Sequence, residues 1–162
     1  MSAQGQHKAS FVTKVTDVAT STKGPAEPLG CIRYENGKKY KYVKYDFGTA
    51  ELVMAAGNIL GYLASDTSMT TVCVDETDCF NLGFAGVAVS VIADDGYGWI
   101  QIGGLSGILT TDIAGSPSVG DLAQMSSTDD TLTKTVTATV PSFCWVVNAT
   151  ASTNTVYLFC PE

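Results

Sequence analysis

The sequence predicts an all-β protein, a small β-barrel or β-sandwich with an extended N-terminal arm. Short runs of β-branched and aromatic residues alternate with Gly, Asn and Asp turn formers about every 8–12 residues. No stretch carries the apolar period of a long amphipathic helix. Charged residues make up only 15% of the chain, and 16 residues are glycine. We therefore expect an arm over residues 1–30 and a single β-rich domain over residues 31–162.

The predicted arm is polar and contains Pro25 and Pro28. Its one regular feature is the alternation from Phe11 to Val18, which would form a short strand if something supplied a sheet edge. We expect the arm to be mobile alone and to become ordered on a partner. The alternative is a flexible terminus without a role.

Residues 31–45 form the clearest predicted hairpin. Asn36-Gly37 is the strongest two-residue turn signal, because both central positions of a type I′ turn need positive φ. The second strand alternates Tyr40 and Tyr42 with lysines, which predicts a tyrosine face and a basic face. Lysines protect an exposed sheet edge, and this is the interpretation we favour. Tyrosines interleaved with lysines also bind single-stranded nucleic acid, and Tyr40 and Tyr42 could instead form a ligand platform.

The central stretch runs from Asp94 to Gly107 and reads as turn, strand and turn. Its apolar strand, Trp99 to Ile102, is expected in the middle of a sheet, with Gly103-Gly104 ending it before another apolar run. Other strands are expected at residues 59–63, 70–74, 82–92, 122–125, 131–140, 143–147 and 155–159. Glycines inside the apolar run 82–92 indicate a bend or close packing.

The charge is unevenly distributed along the chain. Residues 1–44 hold eight of the nine basic residues and three of the 16 acids, which gives +5 there and −12 in the remainder. A basic N-terminal part on an acidic body suggests docking on an acidic surface. The candidates are nucleic acid, a neighbouring copy or another protein, and nucleic acid is the weakest because the acidic body repels phosphate. The alternative is chance clustering on a solvated hairpin.

The sequence offers no set of residues for catalysis. His7 is the only histidine, so neither a tetrahedral zinc site nor a nucleophile with an imidazole base is expected. Three carboxylates over residues 75–78 lack the spacing of a calcium loop. Most of the five cysteines lie in apolar surroundings, as buried free thiols do, although Cys73 and Cys79 could bridge a short loop. We predict no enzymatic activity, no cofactor and no metal.

No apolar leader and no apolar run of membrane-spanning length is visible. We therefore expect a protein made in a reducing cytoplasm that has no membrane partner.

Four short motifs, taken in order, resemble the decoration (cement) proteins of tailed-bacteriophage capsids. They span roughly residues 29–125. The order of the motifs gives the resemblance its specificity. They are Leu29-Gly30 with the following Lys39-Tyr40-Lys41-Tyr42-Val43 strand, Ala55-Ala56-Gly57-Asn58, Gly98-Trp99-Ile100-Gln101-Ile102-Gly103-Gly104, and Ser118-Val119-Gly120-Asp121-Leu122.

The resemblance implies a structural virion protein, made in the host cytoplasm, that binds the outside of an icosahedral shell and bridges neighbouring capsomers. It implies oligomers, with a trimer favoured over a dimer, and no catalysis. It also implies roles for a few residues: Trp99, Ile100 and Ile102 in the barrel core, and Gly57, Gly103 and Gly120 in turns. The alternative is a fibre, host-surface or carbohydrate-binding virion module.

The expected partners are the major capsid protein and other copies of the chain. Basic and apolar side chains of the arm and the hairpin are the candidates for these contacts. They are Lys8, Phe11, Lys14, Val15, Lys23, Arg33, Lys39 and Lys41.

Overall fold

The computed structural model describes residues 11–47, 53–74, 76–79, 83–109, 113–114, 118–125, 132–134, 144–149 and 154–160. Over these residues the chain forms eleven strands in one sheet and a single short helix, which confirms the all-β prediction. The elements are β1 (Ile32–Glu35), β2 (Lys38–Tyr45), β3 (Ile59–Tyr62), β4 (Thr71–Cys73), α1 (Glu76–Cys79), β5 (Phe84–Ala88), β6 (Tyr97–Leu109), β7 (Ile113–Ala114), β8 (Leu122–Met125), β9 (Leu132–Lys134), β10 (Cys144–Ala149) and β11 (Asn154–Phe159).

Five of the strands close into a barrel in the order β2-β4-β3-β5-β6, because β6 pairs back onto β2. The β2–β4 pair is parallel, and the other pairs of the ring are antiparallel. Gly86 allows β5 to lie close against β6, since a Cβ there would come within 2.6 Å of the Gln101 carbonyl oxygen. This is the close packing that the glycines of the 82–92 run predicted.

Strand β6 is the element that the barrel shares with the rest of the sheet. Its first half pairs with β2, and its second half, from Gly103 to Leu109, pairs with β11. The prediction that Gly103-Gly104 ends the strand is therefore wrong. Gly104 has a φ of +84°, and a Cβ there would lie 2.6 Å from the Gly37 carbonyl oxygen. Glycine lets the strand pass beneath the hairpin turn and change partners without a break.

Beyond β6 the sheet continues in the order β11-β10-β8-β9-β7. The predicted final pair is confirmed as the antiparallel strands β10 and β11. Of the strand predicted over residues 131–140, β9 covers Leu132–Lys134, and the other residues lie outside those described. One face of this outer sheet joins the main core through buried residues such as Ala123, Cys144 and Leu158.

The hairpin is confirmed in detail. Strands β1 and β2 pair in antiparallel register from Ile32↔Lys41 to Glu35↔Lys38, with Asn36 and Gly37 at φ of 52° and 73°. The turn therefore has the two positive φ angles that a type I′ turn requires.

The core assignments implied by the resemblance are confirmed in part. Ile100 and Ile102 lie in the main core. Trp99 is buried on the other side of β6, in a separate cluster with Tyr40 and Tyr42. Side chains of neighbouring strand residues point to opposite faces, so Trp99 and Ile100 cannot share one face. Gly57 and Gly120 adopt positive φ at turns, as expected.

Residues 11–30, here called the N-terminal segment, pack against the barrel of their own chain. Ala19 forms an isolated antiparallel bridge with Tyr97 at the start of β6, with both N···O distances at 2.8 Å. Phe11 and Val15 are half-buried against the Tyr40–Trp99 cluster. This part of the predicted arm therefore has a docking surface on its own chain, because the barrel supplies the edge and the apolar surface. Residues 1–10 lie outside the described residues.

Cys73 and Cys79 form a disulfide that joins the end of β4 to α1. Helix α1 occupies most of the region expected to be an acidic loop. Cys144 and Cys160 are free and buried, and burial raises the pKa of both thiols. Cys144 and Cys160 therefore match the prediction of buried free thiols. For Cys73 and Cys79 the sequence favoured free thiols and gave a bridge as the alternative, and the structure has the bridge.

Candidate functional site

The N-terminal segment covers an aromatic cluster on the outside of the barrel. The rings of Tyr42 and Trp99 meet edge to face at 5.1 Å, and Phe11 adds an edge contact to Trp99 at 5.4 Å. Tyr40, Tyr42 and Trp99 are only 7%, 0% and 1% exposed. The ligand platform predicted at Tyr40 and Tyr42 is therefore not on the surface.

A buried carboxylate holds the segment in place. Glu27 accepts hydrogen bonds from the backbone N–H groups of Val12 and Thr13, at 2.7 and 2.9 Å, and from the Thr13 hydroxyl at 3.0 Å. Burial opposes ionisation, but these hydrogen bonds and nearby Arg33 hold the pKa of Glu27 below its ordinary value. The carboxylate is therefore an ionised acceptor at neutral pH.

Arg33 of β1 completes the arrangement. Its guanidinium donates to the Thr13 carbonyl at 2.6 Å and lies over the rings of Phe11 and Trp99, at 5.4 and 5.9 Å from their centroids. The Trp99 indole N–H donates to the Thr13 hydroxyl at 3.0 Å. Each polar atom of Thr13 thus has a partner. We call Glu27, Arg33 and the Val12-Thr13 backbone that they hold the N-terminal clamp.

The structure places the predicted partner-binding residues in different environments. Lys14 and Lys23 are exposed on the N-terminal segment. Phe11, Val15 and Arg33 instead contact the chain's own barrel. Lys39 is half-buried, with its ammonium 5.6 Å from the centroid of the Tyr34 ring, and Lys8 lies outside the described residues.

Lys41 is not part of a basic outer face, and that prediction is wrong for this residue. Its side chain is 5% exposed, and its ammonium donates to the Tyr62 hydroxyl at 2.9 Å while lying 4.7 Å from the ring centroid. Burial lowers the pKa of Lys41, an effect opposed by Asp66, and burial raises the pKa of Tyr62 to about 12. The reason is the pleat, which turns Lys41 to the same side of β2 as Val43 and Tyr45 of the main core.

No group of three or more His, Cys, Asp or Glu residues in the described part of the chain could hold a metal ion. The described residues also contain no helix of the length and apolarity needed to cross a membrane. The absence of enzymatic activity stays a prediction.

The outer sheet carries an exposed surface that the sequence reasoning missed. Six large apolar side chains, each between 40% and 47% exposed, lie on strands β6, β8, β10 and β11. We call this surface the apolar face, and its members are Leu105, Leu122, Trp145, Val147, Tyr157 and Phe159. A signal existed, because β10 and β11 have apolar residues on both sides, a pattern typical of strands that are covered on both faces.

A groove of about 500 Å³ lies beside the apolar face, between the hairpin turn and β11. Tyr157 and Phe159 line one side, and Tyr34, Glu35 and Lys38 line the other. The apolar face is thus bordered at this edge by charged groups.

Comparison with known proteins adds no assignment, because no family model and no curated protein matches the chain.

Proposed function

We propose that this chain is a structural protein of a tailed-bacteriophage virion, which decorates the outside of the icosahedral shell and bridges neighbouring capsomers. Its partners would be the major capsid protein and other copies of the chain. The proposal assigns no catalysis, cofactor or metal to the protein. The surfaces that would contact these partners are the N-terminal segment and the faces of the sheet.

The observation that carries the proposal is the N-terminal clamp. The clamp fixes Val12 and Thr13 on the barrel, so the point at which a tether of residues 1–10, with Lys8, would join the folded body is defined. A tether that starts from a fixed point loses less conformational freedom on binding than one that starts from a mobile segment.

The charges of the N-terminal part support the same function. Lys14 and Lys23 are exposed on the N-terminal segment and can face an acidic partner. Many weak contacts of this kind, repeated by every copy on a symmetric shell, add up through avidity.

The test is binding of truncated proteins to undecorated shells, assembled from the major capsid protein of the virion to which the proposal assigns the chain. Deleting residues 1–10 keeps the clamp, so the barrel should keep its thermal stability while sedimentation with shells falls at least tenfold. Deleting residues 1–20 would also remove Phe11 and Thr13 and uncover Trp99, so loss of binding by that variant has two causes.

The matched substitution is Lys8→Glu, with Lys134→Glu as the control because Lys134 lies on β9 rather than near the segment. The proposal expects the first to weaken shell binding and the second to leave it unchanged. Full binding by the protein that lacks residues 1–10 would overturn the role of the tether. No binding by the intact chain would overturn the decoration function itself.

The carbohydrate-binding and nucleic-acid-binding alternatives lose the tyrosines on which they depended. A carbohydrate platform or a single-stranded nucleic-acid surface was expected at Tyr40 and Tyr42, and both are buried under the N-terminal segment. Lys41, the basic residue between them, is inside the barrel. We therefore propose no second function.

A further inference from the structure

We propose that the apolar face is the surface through which two copies of this chain pair, sheet against sheet. A contiguous exposed apolar patch of a few hundred Å² often marks an interaction site. None of the six residues of the face carries a charge, and each is between 40% and 47% exposed.

The face is continuous across the sheet. Trp145 lies directly opposite Leu122 on one side and Tyr157 on the other, and Tyr157 lies opposite Leu105. Directly opposed residues share a face, so these four side chains form one row across β8, β10, β11 and β6. Phe159 contacts Trp145, with ring centroids 5.5 Å apart, and widens the row towards the hairpin.

The area of the face suits a paired interface. An aromatic side chain presents about 150–250 Å², so the three aromatic members, 40–45% exposed, leave about 80 Å² each. The three aliphatic members are smaller and leave somewhat less, so the face presents about 450 Å² in all. A stable interface buries about 800 Å² per partner, of which about 65% is apolar in homodimers. The apolar face therefore supplies most of the apolar part of such an interface, and the polar residues around it can supply the rim.

The chemistry of the face favours a second copy over a polar partner. A charged or sugar-rich surface placed on it would leave its own polar groups without hydrogen bonds. The Trp145 and Tyr157 rings also stack on each other, at 5.3 Å and an interplanar angle of 22°. Since these rings face one another, they do not form a flat aromatic platform for a sugar. Another copy of the same uncharged face has the required chemistry.

Pairing through one face gives a dimer. When the same patch meets itself, the two copies are related by a twofold axis and the contact closes. A trimer needs two different complementary patches on each copy. The geometry therefore points to a dimer, where the resemblance favoured a trimer. This inference does not depend on shell binding, and its test contains no shells.

The experiment measures the mass of the full chain by sedimentation velocity over a concentration series, with the emission of Trp145 followed in parallel. The wild-type protein should approach the mass of two 17.0 kDa chains. Its Trp145 emission should shift to shorter wavelength as the dimer forms, whereas Trp99 is already 1% exposed and should not change.

Two variants test the face. Leu122→Lys places like charges on both copies, and Trp145→Thr removes the centre of the row while keeping a residue that favours strands. Each should weaken pairing at least tenfold. Val91→Lys is the matched control, because Val91 is a 56% exposed aliphatic residue outside the face. Thermal melts establish whether the variants are folded. If Trp145→Thr does not fold, Leu122→Lys alone tests the face.

A dimer that Leu122→Lys disrupts and Val91→Lys leaves intact would support the proposal. A wild-type protein that stays monomeric at high concentration would overturn it, as would an oligomer that is indifferent to Leu122→Lys. A monomer whose Trp145 emission shifts on addition of oligosaccharides would overturn it in favour of a glycan site.

Discussion

Replacing Glu27 with glutamine should loosen the N-terminal segment while leaving the barrel folded. The variant keeps the shape of the side chain and an acceptor oxygen, but it removes the charge. Hydrogen bonds to a charged group contribute about 1.5–3 kcal/mol and neutral ones about 0.5–1.5 kcal/mol. The three bonds of Glu27 converge on one oxygen and are not additive. We expect Glu27→Gln to lower the free energy of opening the N-terminal segment by about 1.5 kcal/mol and Glu27→Ala to lower it by about 3 kcal/mol.

Hydrogen exchange at the amides of Val12 and Thr13 measures this change directly, because both amides donate to Glu27. A loss of about 1.4 kcal/mol raises the open population tenfold, so exchange should be about tenfold faster in Glu27→Gln. Acrylamide quenching of Trp99, in a Trp145→Phe background, should rise in parallel since the segment covers that ring. Asp17→Asn is the matched control: it removes one charge from the same segment, but the Asp17 carboxylate caps only the neighbouring Lys14 N–H.

The pH dependence has a defined sign. The pKa of Glu27 is lower in the folded protein than its ordinary value of 4.5. The clamp is therefore complete above about pH 4.5 and weakens as the pH falls through the folded pKa. Trp99 quenching should rise on acidification in the wild-type protein and change less in Glu27→Gln. Equal exchange rates and equal pH profiles for the two proteins would refute the role of the carboxylate.

Three further predictions concern stability. Asp66→Asn should lower the free energy of unfolding by about 1–2 kcal/mol, because the carboxylate accepts hydrogen bonds from Ser68, Thr70 and Thr71. Burial opposes ionisation of Asp66, but these hydrogen bonds lower its pKa to about 2. Chemical denaturation should therefore show the loss at pH 7 and a smaller one near pH 2. Reducing the Cys73–Cys79 disulfide, or replacing both residues with serine, should lower the unfolding free energy by about 2 kcal/mol, as expected for a short closed loop; an unchanged melting temperature would contradict this. Gly104→Ala should lower the free energy of unfolding by at least about 2 kcal/mol, because the residue has a positive φ and a Cβ there would clash with the hairpin. Gly120 has a similar φ but no atom within 4 Å of the added Cβ, so Gly120→Ala should lower it by only about 1 kcal/mol.

The parts of the fold that were predictable depend on local chemistry. Asn36-Gly37 specifies its turn because few residue pairs tolerate two positive φ angles. The apolar runs marked most strands because β-branched and aromatic residues fit a half-buried pleated surface. Both signals lie within a few residues of the feature that they predict.

The parts that were missed depend on contacts far apart in the sequence. Nothing near Glu27 indicates that its carboxylate accepts hydrogen bonds from Val12 and Thr13. Gly104 looked like the end of a strand because its packing against the hairpin cannot be read from its neighbours. Lys41 looked like a surface residue because a charged side chain is rarely buried, and only the register of the barrel places Tyr62 beside it.

Strand β6 has a mechanical consequence. Tyr97 at one end is bridged to Ala19 of the N-terminal segment, and Leu105, further along, belongs to the apolar face. Hydrogen bonds of an antiparallel pair run across the strands. A pull along β6 would therefore load its bonds to β2 and β11 together, in shear, rather than opening them one after another. Tension applied at the N-terminal segment would reach the apolar face through one continuous strand, with no loop between them to stretch.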